Sequence, residues 1–218
     1  MIPFARMIKY GNIDQRNVVL DIDFSRQNVG DTNIIDFTGN NIFQQDGVTG
    51  LGTVEYNSTI GSNVMRFNSS RYSTAMKSVL QLRDVEFRIV MVINNNNAST
   101  GEIICTGDYN GARIPGFNFN NTRNGSTGTN YALFMDDGGN FVNHQFGVAL
   151  NVGWDVVEIH RDKLGFHCTV NGVTTSFAQY FPGNGTKFAI GGSYTGGTNV
   201  YWNGLMKSLY IETKGSII

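Results

Sequence analysis

The chain has 218 residues, a formal net charge of −1 and only 15% charged residues, so it lacks the basic surplus that binding to a nucleic-acid backbone requires. No run of about 18 apolar residues is present, which argues against a transmembrane helix and membrane insertion. The 27 Gly, 26 Asn and 3 Pro, interspersed with Val, Ile, Phe and Tyr, predict many short strands joined by tight turns.

Residues 1–16 mix apolar side chains such as Phe4 and Ile8 with Arg6 and Lys9, and no apolar segment of about 7–15 residues follows Met1. The sequence therefore predicts no signal peptide. We interpret residues 1–16 as an N-terminal arm, which is either an edge segment lying on the domain or a tether to a larger assembly.

The first strand is predicted from Val18 to Phe24, where apolar residues alternate with Asp21 and Asp23. The strongest predicted strand is Val85 to Ile93. Its odd positions are apolar, and its even positions begin charged and end apolar, so one end should be buried on both faces. Ile103-Ile104-Cys105 predicts the next strand.

Residues 106–151 are rich in aromatic, Asn and Gly residues. Phe117-Asn118-Phe119 and Tyr131 to Met135 predict two neighbouring antiparallel strands, with residues 120–130 as an exposed loop. Asp136-Asp137-Gly138-Gly139 predicts a turn.

The C-terminal region contains a series of short motifs. Trp154 opens a strand that ends at Arg161-Asp162, and Asn171-Gly172 predicts a type I′ hairpin turn. The strand before that turn is predicted to place four residues on one face: Leu164, Phe166, Cys168 and Val170. Phe188-Ala189-Ile190-Gly191 and Trp202-Asn203-Gly204 then precede the last strand. On its buried face Lys207 is predicted to be the one polar interruption.

The order and spacing of these motifs resemble the laminin-G-like (concanavalin-A-like) jelly roll. The resemblance implies an all-β fold, a two-sheet antiparallel sandwich formed by residues 17–218, in which the first strand pairs with the last. It does not by itself imply a function.

Glucanases with this architecture carry the motif Glu-x-Asp-x-(x)-Glu, which places catalytic carboxylates on one face of a strand. That motif is absent, and the spacing of Asp155 and Glu158 puts their side chains on opposite faces. We therefore expect a non-enzymatic protein. His160 and His167 are expected to face each other as ordinary strand histidines, and His144 completes no metal motif with them. Cys105 and Cys168 are either buried thiols or a disulfide.

Lectin sites combine aromatic platforms with polar groups that bind hydroxyls. The candidate ligand-binding residues lie mostly in the region predicted to form loops: Tyr109, Asn110, Arg113, Asn130, Tyr131, Asp136 and Tyr194. Some laminin-G-like members hold Ca²⁺ at the rim of the sandwich with oxygen ligands. The corresponding candidates are Asp108, Asp136 and Asp137, for which the alternative is a role in turn formation.

Laminin-G-like domains also occur in phage tail and fibre proteins. The resemblance and the composition together predict a virion surface or tail-associated protein, assembled in the host cytoplasm, that binds other virion proteins through its N-terminal arm. We expect it to be a homo-oligomer or part of a larger assembly and to have a cell-surface glycan as a candidate ligand. The alternatives are a free-standing carbohydrate-binding lectin module and, disfavoured by the missing carboxylates, a polysaccharide hydrolase or lyase.

Overall fold

The computed structural model describes residues 17–46, 50–75, 80–83, 85–95, 101–106, 116–121, 130–136, 141–149, 153–177, 185, 187–195 and 198–216. The predicted N-terminal arm lies outside these ranges. They include a 3-10 turn at Phe24–Arg26 that Asp23 caps through its side chain. The part of the chain that the structure describes holds no helix with the length and apolarity that crossing a membrane requires.

Two antiparallel sheets form the domain. The first has eight strands: β1 (Asn17–Asp23), β3 (Thr53–Asn57), β4 (Ser62–Arg66), β6 (Val85–Asn94), β11 (Trp154–Arg161), β12 (Phe166–Val170), β13 (Val173–Phe177) and β17 (Leu205–Ser216). Their order is β13-β12-β11-β6-β17-β4-β3, and β1 also pairs with β17. The predicted pairing of the first strand with the last is confirmed.

The second sheet has seven strands: β2 (Gln44–Gln45), β5 (Tyr72–Ala75), β7 (Glu102–Cys105), β8 (Gly116–Asn121), β9 (Asn130–Asp136), β10 (Phe141–Ala149) and β14 (Lys187–Ile190). Their order is β10-β9-β8-β7-β14-β5-β2. A separate hairpin, β15 (Gly192–Thr195) with β16 (Thr198–Tyr201), follows β14. The predicted neighbours at residues 117–119 and 131–135 are paired, as β8 and β9.

The core lies between the two sheets. Alternate residues of β6 and β17 supply one side, and a row of paired residues in the seven-stranded sheet supplies the other, namely Tyr72, Ile190, Ile104, Phe119 and Leu133. All of these side chains are at most 2% exposed. The C-terminal half of β6 is buried on both faces, as its sequence predicted.

The hairpin at Asn171-Gly172 has φ values of 49° and 86°, as a type I′ turn requires. Phe166, Cys168 and Val170 face the core, as predicted. The prediction for Leu164 is wrong, because this residue lies in the turn before β12 and is 81% exposed. The turn is held instead by Asp162, whose carboxylate accepts the N–H groups of Leu164 and Gly165.

The last strand departs from simple alternation at Lys207. Met206 pairs with Ile93 and Ser208 pairs with Val92, so Lys207 is the extra residue of a β-bulge. The bulge shifts the register and turns both Met206 and Leu209 toward the core. Lys207 is therefore not a polar interruption of the buried face.

Candidate functional site

The outer face of the seven-stranded sheet is the candidate site. Directly opposed residues of antiparallel strands point to the same side of a sheet, so the row next to the core row points outward. Its described members are Gln44, Ser73, Ala189, Cys105 and Asn118. The side chains at its centre, Ser73, Ala189 and Cys105, are small.

The centre of this face is partly covered by the chain itself. Ala189 and Cys105 are each 1% exposed although they lie in the outward row. The Cys105 thiol donates to the carbonyl oxygen of Gly192 at 3.7 Å, where the chain leaves β14 for the β15–β16 hairpin. At Gly191 φ is +84°, and an added Cβ would lie 2.3 Å from the ring of Phe67, so this position requires glycine.

A charged cluster lies on the same face toward its β2 edge. Asp46 Oδ2 accepts from Ser73 Oγ at 3.0 Å and from Lys187 Nζ at 3.1 Å, and Arg71 Nη2 lies 3.3 Å from Asp46 Oδ1. Lys187 is the accessible part of this cluster, with 43% of its side chain exposed, whereas only 5% of the Arg71 side chain is exposed. We call these four residues the Arg71 cluster.

The Arg71 guanidinium is incompletely hydrogen-bonded. Its Nε and Nη1 atoms are buried and have no hydrogen-bond partner among the residues that the structure describes. A buried charged donor without an acceptor is costly. The arrangement therefore leaves donor capacity unused beside an accessible lysine.

The Arg71 cluster also sets the charge state of Asp46. Burial alone would raise the pKa of Asp46, but hydrogen bonds from Lys187 and Ser73 and the charges of Arg71 and Lys187 outweigh burial, and the pKa is lowered. Asp46 is thus an anion that holds the two cations next to each other.

A second polar position on this face is Asn120. It pairs with Glu102 across β8 and β7, is 2% exposed, and its Oδ1 atom has no partner within the described residues. The sequence predicted that Asn120 begins an exposed loop, but β8 continues to Asn121 and Asn120 is a buried strand residue.

The described members of the predicted ligand-binding set lie at separate places in the fold. Asp108, Tyr109, Asn110 and Arg113 belong to the connection from β7 to β8 and lie outside the described residues. Asp136 ends β9, with its backbone opposite Gly116. Because β7, β8 and β9 are adjacent and antiparallel, the β7–β8 connection and the segment after Asp136 leave the same end of the sheet.

Asn130 begins β9 at the opposite end, and Tyr194 lies in the β15–β16 hairpin. The calcium candidate Asp137 lies outside the described ranges, as does Asp108. Across the residues that are described, no three or more His, Cys, Asp or Glu side chains converge in a way that could hold a metal ion. Calcium binding therefore stays a prediction.

Tyr131 does not occupy the position expected of a ligand contact. It is 0% exposed and its ring stacks on Phe119 inside the sandwich. Its hydroxyl donates to Asp155 Oδ2 at 2.6 Å and accepts from Asn95 Nδ2 at 2.5 Å. Burial, together with the hydrogen bond and charge of Asp155, raises the pKa of Tyr131 far above its usual value.

This buried network extends to both sheets. Trp202 Nε1 donates to Asn95 Oδ1 at 2.9 Å, and Asn171 Nδ2 donates to Asp155 Oδ1 at 2.6 Å. We call the five residues Asn95, Tyr131, Asp155, Asn171 and Trp202 the inter-sheet network. Its role is to join the sheets. The Tyr131 hydroxyl is engaged within it both as donor and as acceptor, so this hydroxyl does not contact a ligand.

The outer face of the eight-stranded sheet carries charges that are paired. Arg88 Nη2 lies 2.7 Å from Glu158 and Arg88 Nη1 lies 3.8 Å from Glu212. His160 and His167 face each other with ring centroids 5.7 Å apart, as predicted, and each lies near its own carboxylate, Glu86 or Asp162.

Cys105 and Cys168 are both buried free thiols, which decides between the two alternatives that the sequence left open. Burial, with a smaller contribution from the charge of Glu158, raises the pKa of Cys168 to about 12. This thiol is therefore protonated at neutral pH.

Sequence reasoning did not identify the Arg71 cluster. Ser73 lies in β5 and Lys187 in β14, whereas Arg71 precedes β5 and Asp46 follows β2, so their proximity depends on the strand order. One local signal was available, because Arg71 and Ser73 flank the buried Tyr72 and must point away from the core.

No protein-family model matches the chain, and no curated protein matches it in sequence. Solved structures do match its fold. Domain 4 of AbnA, an extracellular arabinanase from Geobacillus stearothermophilus solved in complex with arabinotriose, aligns with a TM-score of 0.66 and 14% identity over 93% of this chain and 95% of that chain.

The receptor-binding domain of botulinum neurotoxin mosaic serotype C/D aligns with a TM-score of 0.59 and 12% identity over 92% of this chain, and the match spans only 48% of the toxin domain. The NanB sialidase of Streptococcus pneumoniae aligns with a TM-score of 0.51 and 16% identity over 71% of this chain and 26% of the enzyme. At these identities the likeness establishes the fold alone. The chain has the two-sheet, laminin-G-like jelly-roll fold that its C-terminal motifs indicated.

Proposed function

We propose that the protein is a non-enzymatic carbohydrate-binding module that uses the outer face of its seven-stranded sheet. The observation that carries the proposal is the Arg71 cluster, in which a buried guanidinium keeps its Nε and Nη1 atoms without acceptors among the described residues, next to an accessible lysine. Sugar hydroxyls and carboxylates are acceptors of the required kind.

The outward row beside the cluster supports this assignment. Ser73, Ala189 and Cys105 are small, and Asn118 and Asn120 place amide groups beyond them. A few fixed polar groups of this kind are part of the usual construction of a small-molecule site. The domain with the 0.66 TM-score was itself solved with a trisaccharide bound.

The positions of Asp155 and Glu158 support a non-enzymatic role. Their spacing in the sequence comes nearest to that of the glucanase carboxylates. Asp155 is 0% exposed and holds the inter-sheet network, whereas Glu158 lies on the outer face and pairs with Arg88. Acid–base hydrolysis requires two carboxyl groups on either side of one glycosidic bond. Asp155 and Glu158 are not placed for that chemistry.

A place on a virion surface or tail is the setting that the sequence predicts for this module. The prediction depends on the resemblance to laminin-G-like domains of phage tail and fibre proteins, on the composition, and on the proposed tether at residues 1–16. It is compatible with glycan binding, because an adhesin in a multimeric assembly gains avidity from many weak sites.

The test is a glycan array probed with multivalent protein, with and without Ca²⁺. We expect binding to a restricted set of glycans, reduced by Asn118→Ala on the seven-stranded sheet and unaffected by Thr174→Ala on the outer face of the other sheet. The absence of binding to every glycan under both conditions would contradict the proposal. A requirement for Ca²⁺ would support the predicted aspartate site.

A further inference from the structure

We infer that the ligand carries a negative group, a carboxylate or a sulfate ester, and that Arg71 and Lys187 recognise it. The inference rests on the proposed function and specifies the class of sugar that the same face selects. It is carried by the hydrogen-bonding state of Arg71 and by the charges of the Arg71 cluster.

The first step concerns the cost of the buried guanidinium. Arg71 is 4% exposed and has one described ionic partner, Asp46, which approaches only Nη2. Removing an arginine from water is compensated when its remaining donors meet acceptors. Here Nε and Nη1 meet none among the described side chains and carbonyls, and an anionic ligand carries acceptors of the kind they require.

The second step concerns charge. The described cluster contains two cations and one carboxylate, and Asp46 divides its two oxygens between Arg71 and Lys187. An incoming anion brings a further charged acceptor to these two cations, whereas a neutral sugar contributes only dipoles. Charge-assisted hydrogen bonds are roughly twice as strong as neutral ones, so the cluster favours an acidic ligand.

The third step concerns access. Arg71 is buried, but Lys187 is half-exposed and Asp46 is 31% exposed, so the cluster opens to solvent on the Lys187 side. An anionic group therefore meets Lys187 first and Arg71 at the bottom of the site. The opposite sheet offers no equivalent at Arg88, where Glu158 and Glu212 already supply carboxylates.

Two matched pairs of polymers test the inference by affinity electrophoresis. Polygalacturonate is compared with its methyl-esterified form, and dextran sulfate with dextran, so that each pair differs only in the negative group. We expect one acidic member to retard the protein at least about tenfold more strongly than its neutral counterpart, which is the effect of one charge-assisted contact. The pair in which the acidic polymer binds more strongly identifies the recognised group as a carboxylate or as a sulfate ester.

Lys187→Gln is expected to abolish that difference, whereas Lys207→Gln, which removes a lysine from the β-bulge of the other sheet, is expected to preserve it. Arg71→Lys should weaken binding while keeping the charge, because ammonium lacks the donor geometry of guanidinium. Thermal unfolding of each variant establishes that the fold is intact.

A second measurement does not depend on a polymer. Glucuronate and sulfate should each be compared with glucose for their effect on the Tm of the wild-type protein and of Lys187→Gln, since a ligand that binds the folded state raises its stability. We expect an anion to raise the wild-type Tm and to have less effect on the variant.

Equal effects of the acidic and neutral members, or equal losses in Lys187→Gln and Lys207→Gln, would overturn the inference. Binding to neutral glycans on the array together with such a result would leave the carbohydrate-binding function standing. Failure to bind any glycan would instead overturn the proposed function and the inference with it.

Discussion

The two polar clusters of this domain differ in how completely they are hydrogen-bonded. In the inter-sheet network, the Tyr131 hydroxyl both donates and accepts, and both oxygens of Asp155 receive a donor. In the Arg71 cluster, both oxygens of Asp46 are likewise engaged, but the guanidinium beside it retains two buried nitrogens, Nε and Nη1, without acceptors in the described structure.

This difference separates two uses of buried polar groups. A satisfied network adds rigidity and fixes how the sheets pack. An incompletely satisfied one costs stability, and unsatisfied groups in native proteins call for an explanation such as a binding role. The comparison therefore predicts that mutations in the two clusters have opposite profiles, with stability lost in the first and binding lost in the second.

The largest effect is expected for Asp155→Ala. It removes the acceptor of Tyr131 and of Asn171 inside the protein, and we expect a loss of about 3 kcal/mol in the free energy of unfolding, since buried donors left unpaired are costly. Urea denaturation measures it. A change below about 1 kcal/mol would show that the network does not join the sheets.

Tyr131→Phe should have a smaller effect of the same kind. The ring still stacks on Phe119, but Asp155 and Asn95 each lose a partner, for which we expect about 1–2 kcal/mol. The control is Tyr56→Phe, because Tyr56 is 62% exposed and its variant should unfold like the wild type. Glycan binding by Tyr131→Phe should match that of the wild type at temperatures where it is folded.

Arg71→Met should change stability by less than about 1 kcal/mol in either direction, because an apolar side chain of similar length removes the unsatisfied donors along with the ion pair. Denaturant midpoints and glycan retention are measured on the same samples. A loss of stability as large as that of Asp155→Ala would mean that Arg71 is a structural residue.

The smallest effect is expected in the pH dependence of stability. The pKa of Asp46 is lowered in the fold, so its contribution is present above the unfolded pKa of about 3.9 and is lost as pH falls through the folded pKa. The stability difference between wild type and Asp46→Asn should therefore shrink between pH 6 and pH 3.

Asp21 on the opposite sheet provides a control with the opposite sign. Burial raises its pKa, with the nearby Asp23 and Asp36 adding to the effect and Arg26 opposing it. Its favourable contribution is therefore present at low pH and is lost as pH rises through the folded pKa. Urea midpoints of Asp21→Asn and Asp46→Asn at the two pH values should diverge, and parallel changes would contradict the assigned directions.

Local sequence patterns predicted most of the fold because they act over a few residues. Alternation identified β1 and β6, and the positive φ at Asn171 and Gly172 follows from the turn that this pair favours. The glycine of Trp202-Asn203-Gly204 is required because an added Cβ would lie 2.2 Å from the Trp202 ring. The bulge at Lys207 was missed because alternation alone contains no signal for an inserted residue.

The candidate site was less predictable because it depends on strand order. Asp46, Arg71 and Lys187 come together only when β2, β5 and β14 become neighbours in the sheet. Tyr131 was expected to face a ligand because aromatic residues alternate with polar ones around it, but that pattern also suits a strand with one buried face. The pairing of β9 with β8 places Tyr131 next to Asn121, with its side chain inside the sandwich.

The most direct test of the central claim is to map where a glycan contacts the domain. Amide chemical shifts of the labelled 24.0 kDa protein should be followed by NMR while the strongest ligand from the array is added. We predict perturbations concentrated in β5, β8 and β14, with β11, β12 and β13 unchanged. Perturbations confined to the eight-stranded sheet would contradict the assignment of the binding face.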